Sequence, residues 1–70
     1  MTEVRSEMVA NVWRVVVESG DRVSAGDPLV ILESMKMEIP VAAPADCTVV
    51  EVRVAEGGQV QEGDVIAVVE

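Results

Sequence analysis

The 70-residue chain has no histidine, tyrosine or phenylalanine, one cysteine, one tryptophan and a single lysine, Lys36. Each scarcity removes a class of chemistry. Without histidine there is no Ser–His or Cys–His catalytic pair and no His-containing zinc site. Cys47 alone can form neither an internal disulfide nor a four-cysteine metal site. No apolar run reaches membrane-spanning length, and no N-terminal segment has the basic-then-apolar form of a signal peptide. The expectation is therefore a protein with no membrane association and a cytoplasmic location. Cations are scarce too, with 5 Lys and Arg against 13 Asp and Glu, a net charge of −8. Such a chain repels nucleic-acid phosphates, so no nucleic acid is expected as a partner. It is steered instead toward basic protein surfaces. No stretch sustains apolar spacing at the helical period.

What is present is of one kind. Val and Ile fill 20 of the 70 positions, whereas Leu occurs twice. Beta-branched side chains are stiff at their first torsion and suit pleated surfaces. The length allows one small domain over residues 1–70, with a marginal core. These features predict an all-β protein.

A repeat organises the chain. A shift of 37 positions aligns Val9–Glu33 with Asp46–Glu70, matching Val12 to Val49, Val15 to Val52, Val17 to Val54 and Val23 to Val60. Gly20 aligns with Gly57, Gly26 with Gly63, Asp27 with Asp64 and Glu33 with Glu70. Two copies are too few for a solenoid, and they predict one core built from similar halves about a pseudo-two-fold axis. Each half reads as a strand, a glycine turn, a short piece around Val23 or Val60, a Gly-Asp turn and a closing apolar strand. The closing strands are Leu29–Leu32 and Val65–Val69. The step from Val12 to Val15 breaks strict alternation, which predicts a bulge or bend near Trp13 and Arg14. Regular turns between short strands predict a small sandwich or barrel.

Between the halves lies Glu33-Ser34-Met35-Lys36-Met37-Glu38-Ile39-Pro40, between the strands Leu29–Leu32 and Met37–Ala42. The chain must reverse here, although the segment lacks the Asn-Gly or Gly pairs of the favoured hairpin turns. Lys36 falls at or near the tip.

With Met35-Lys36-Met37 after an apolar strand, set between two glycine-turn repeats, the sequence resembles the biotinyl domains of biotin-dependent carboxylases. It is most similar to small free-standing biotin/lipoyl attachment proteins, from about Met8 to the end of the chain. The resemblance implies a flattened eight-stranded barrel or sandwich of two four-stranded antiparallel sheets, with Lys36 exposed at the tip. It implies covalent biotin on Lys36, attached by a biotin protein ligase that reads Met35 and Met37. It further implies a carboxyl carrier, not an enzyme, serving a biotin carboxylase and a carboxyltransferase. The acceptor in such systems is commonly a keto acid or an acyl-CoA, as in acetyl-CoA carboxylase. A monomer is expected in isolation. Some acetyl-CoA carboxylase carriers insert a protruding loop in the first half, and this chain has no room for one between Gly20 and Leu29. Ser34 replaces the usual Ala, Val9-Ala10 replaces a Pro-Gly turn, and Cys47 stands where the second half usually has Gly. A lipoyl, or dual biotin and lipoyl, carrier is the alternative, although lipoyl domains usually show Asp-Lys-Ala. An unmodified adaptor barrel is a third reading.

The remaining candidates read as structural. Trp13 is expected to be a partly exposed packing residue and Cys47 a small packed one. Met35 and Met37, on either side of a turn residue, are expected to be partly exposed.

Overall fold

The computed structural model describes all 70 residues and contains eight strands and no helix. They are β1 (Thr2–Arg5), β2 (Ala10–Val15), β3 (Arg22–Val23), β4 (Pro28–Ser34), β5 (Met37–Ala42), β6 (Cys47–Val52), β7 (Gln59–Val60) and β8 (Val65–Val69). Two four-stranded sheets form, in the orders β1-β8-β6-β3 and β5-β4-β2-β7, and every pairing is antiparallel. No ladder joins the two sheets, so the architecture is a sandwich and not a closed barrel.

The repeat is visible in the hydrogen bonding. Each sheet draws strands from both halves, and the 37-residue shift maps β1 onto β5, β2 onto β6, β3 onto β7 and β4 onto β8. The bulges repeat in the same way. Trp13 is the extra residue between the Val12–Leu32 and Arg14–Ile31 pairs, as the broken alternation predicts. Val50 is the extra residue between the Val49–Val69 and Glu51–Val68 pairs. A second symmetric set places Leu29 between the Pro28–Ala42 and Val30–Val41 pairs, and Ile66 between the Arg5–Val65 and Val4–Ala67 pairs. A bulge tips its extra residue out of strict alternation. This is how Leu29 and Val30 are both fully buried, and likewise Ile66 and Ala67.

Gly20, Gly26, Gly57 and Gly63 take positive φ angles of 87 to 96°. The Gly-Asp turns are closed by their carboxylates: Asp27 Oδ2 accepts the Ser24 N–H and Asp64 Oδ2 accepts the Gln61 N–H, each at 2.9 Å. Val12, Val49, Val23 and Val60 are buried as equivalent pairs around Leu29, Leu32 and Ile66. Cys47 is buried, 5% exposed, and opens β6 without a positive φ, so it serves as a small core residue. Trp13 is 43% exposed and stacks beneath the Arg14 guanidinium at 5.1 Å.

The N-terminal strand is the element that the repeat does not reveal. β1 pairs with β8 as β5 pairs with β4, down to Thr2–Val69 matching Ile39–Leu32. Ser6 N donates to Asp64 O and Gly63 N to Ser6 O, at 2.9 and 2.8 Å. Ala43 N donates to Asp27 O and Gly26 N to Ala43 O, at 2.8 and 3.0 Å. Val4 and Val41 are the only identity in this stretch, too little to reveal the strand.

Candidate functional site: the β4–β5 hairpin tip

β4 and β5 form the longest ladder in the molecule, running from Pro28–Ala42 to Ser34–Met37. It ends in a two-residue turn at Met35 and Lys36, with φ angles of 54° and 65°. Positive φ at both central residues is the type I′ signature, which matches the right-handed twist of the flanking strands. Non-glycine residues are disfavoured there because Cβ crowds the following carbonyl. They are the only two non-glycine residues of the chain with positive φ. The ladder beneath holds a turn that the local sequence does not favour, and the strain is stored at the tip.

The geometry turns all three central side chains outward. Met35 is 90% exposed and Met37 63% exposed, beyond the partial exposure expected for them. Lys36 is also exposed. The only two ion pairs are Arg5–Glu3 and Arg53–Glu51, so the Lys36 ammonium is bound to no carboxylate. Glu33 and Glu38 face each other across the ladder one pair below the turn base, a like-charge juxtaposition that weakens the hairpin. Just past β6, away from the tip, a hydrogen bond and the charge of Glu51 hold the Arg53 guanidinium above its ordinary pKa.

This constellation can present an amine but cannot activate anything. No cluster of three or more His, Cys, Asp or Glu side chains able to hold a metal lies in the structure. A small β-sandwich that offers an unpaired lysine amine from a two-residue turn has the form of a carrier domain.

Comparison with known proteins fixes which kind. The family model described as "Biotin-requiring enzyme" matches residues 2–69. The biotinylated protein TB7.3 homolog of Mycobacterium leprae is 54% identical over 67 residues, covering 96% of this chain and 94% of that protein. The biotin/lipoyl attachment protein of Bacillus subtilis is 48% identical over 63 residues, covering 90% and 86%. Among solved structures, the urea carboxylase of Kluyveromyces lactis superposes with a TM-score of 0.92 at 35% identity. The match covers 99% of this chain and 6% of that one. The chain belongs to the biotin-requiring family, as one of its carrier domains. The match begins at residue 2 and so takes in β1, which lies upstream of the resemblance read from sequence.

Proposed function

We propose that Lys36 carries biotin through an amide to its Nζ, and that the chain shuttles carboxylate between a biotin carboxylase and a carboxyltransferase. The observation that carries this is the placement of the only lysine, with no ionic partner, on a strained two-residue turn at the end of the longest ladder. The exposed amine fits the group, because it stands at the surface with no carboxylate bound to it.

Attachment requires a neutral amine, whereas a free lysine amine is protonated at neutral pH. The hairpin carboxylates Glu33 and Glu38 are weak bases not bonded to Lys36, and no side chain there activates a carboxylic acid. A biotin protein ligase therefore supplies both: the Lys36 ammonium loses its proton, the amide N–C bond forms, and the activating group departs from the acyl carbon. Met35 and Met37 give the ligase two soft, adaptable contacts beside the amine. Modification abolishes the lysine charge and leaves a flexible arm on a rigid base. When bound, biotin supplies a ureido nitrogen that accepts and releases carboxylate; the domain supplies presentation. We place the protein in the cytoplasm, where a lone thiol such as Cys47 stays reduced.

Biotin is preferred over lipoate because the matching family is described as biotin-requiring and the turn reads Met-Lys-Met. Intact mass of the chain purified from its native host tests this. A single biotin increment is expected. A lipoyl increment, or an unmodified mass in cells containing ligase and biotin, overturns the proposal.

A further inference from the structure

β1 and β5 are edge strands of the two sheets. No ladder joins them, and a groove of about 190 Å³ lies between them. Its apolar floor is formed by Val4, Met8, Leu32, Ile39 and Val41. The groove is not centred on the pseudo-two-fold axis. Leu32 and Ile39, paired two steps below the turn base, line it, whereas their symmetry mates Val69 and Thr2 do not. It is thus displaced toward the end of the molecule that carries Lys36.

Its rim is polar and of both signs. Arg5 donates from Nη1 to the Gly63 carbonyl at 2.7 Å and from Nη2 to Glu3. Neither Gly63 nor Glu3 lines the groove, so the Arg5 guanidinium is engaged outside it. Glu7 also lines the groove and takes part in neither ion pair.

We infer that this groove receives the bicyclic ureido ring of the arm attached at Lys36, so that the carrier has a parked state as well as an extended one. The inference rests on the biotin reading above. Three properties select that occupant. The first is size, since a drug-sized ligand takes about 300 Å³ or more, whereas this groove holds about six waters at ~30 Å³ each, suiting a ring fragment. The second is chemistry: a ureido group presents two N–H donors, which the Glu7 carboxylate complements, over an apolar floor for the sulfur-containing ring. The third is reach. Ile39 lies three strand residues from Lys36, about 10 Å away, and a lysyl side chain extended by a five-carbon acyl arm spans on the order of 12 Å at ordinary bond lengths. A groove this shallow binds weakly, but a short tether raises the effective concentration to about millimolar, enough to populate a weak site.

The test compares backbone amide spectra of the unmodified chain and of the chain shown by intact mass to carry one biotin. Parking predicts shift changes at Val4–Met8 and at Ile39, Val41 and Ala42 at least as large as those at Glu33. It also predicts ring-proton contacts to Ile39 and Val41 methyls. In the variant E7A, biotinylated to the same extent, the changes at Val4–Met8 and Ile39–Ala42 should fall at least threefold and those at the turn should persist. Changes confined to residues 33–38 in a sample of confirmed biotin mass overturn the parked state and leave the carrier reading intact. Absence of the biotin mass overturns both.

Discussion

Met35 and Lys36 hold the left-handed backbone that the chain otherwise reserves for glycine. Replacing Met35 with glycine removes a conformational penalty of roughly 1–2 kcal/mol, partly offset by the added freedom of the unfolded chain, about 0.4–1 kcal/mol. M35G should therefore match or exceed the parent in urea unfolding, by up to about 1.5 kcal/mol, while being biotinylated more slowly. A loss of stability would mean that the methionine side chain packs against the fold. M35A and M37A isolate the side chains. Both residues are exposed, so unfolding should change by no more than about 0.5 kcal/mol, whereas ligase kinetics should show a raised KM. That the turn bears the lysine was legible through the repeat and the family resemblance, not through turn chemistry. The turn type was not, because Met-Lys is a poor type I′ pair, and only the long ladder on either side forces it.

At the scale of elements, the molecule is one supersecondary unit used twice, and equivalent substitutions should cost equal amounts. Asp27 and Asp64 each accept one backbone N–H at 2.9 Å. D27A and D64A should each lose about 0.5–1.5 kcal/mol, the usual net worth of such a bond. Their urea midpoints should agree closely; a severalfold difference would show that the two turns are not energetically equivalent. The glycine and aspartate turns, the Trp13 bulge and the short pieces at Val23 and Val60 were readable because backbone demands leave residue signatures. β1 left none. Its counterpart β5 shares one identity with it, and an edge strand half in contact with solvent tolerates almost any alternating sequence. The sequence pattern also left barrel and sandwich undecided, since both need the same alternation. That β1 and β5 do not pair is a tertiary fact.

At the scale of the whole molecule, stability is the constraint. A domain of this length is worth roughly 3–10 kcal/mol at 0.05–0.15 kcal/mol per residue. Leu32 is 1% exposed beneath the hairpin, and Leu-to-Ala changes at such sites cost about 2–5 kcal/mol. L32A should therefore lower the melting temperature sharply and leave part of the population unfolded at 37 °C, which thermal denaturation followed by circular dichroism would show. An unchanged melting temperature would contradict the single shared core. The pseudo-symmetry also sets the molecule's orientation. The Thr2–Val69 pair occupies the place of the Ile39–Leu32 pair, so the chain ends emerge where the other half carries the turn. A domain joined to larger machinery through its ends thus keeps its lysine-bearing tip free.

The central claim is that Lys36, and nothing else in the chain, is the group modified. The direct test is intact mass after incubation with biotin, ATP and a biotin protein ligase, run in parallel on the parent chain and on K36R. One biotin adduct is expected on the parent and none on K36R, with both proteins equally folded. An adduct on K36R, or none on a folded parent chain, would contradict that claim.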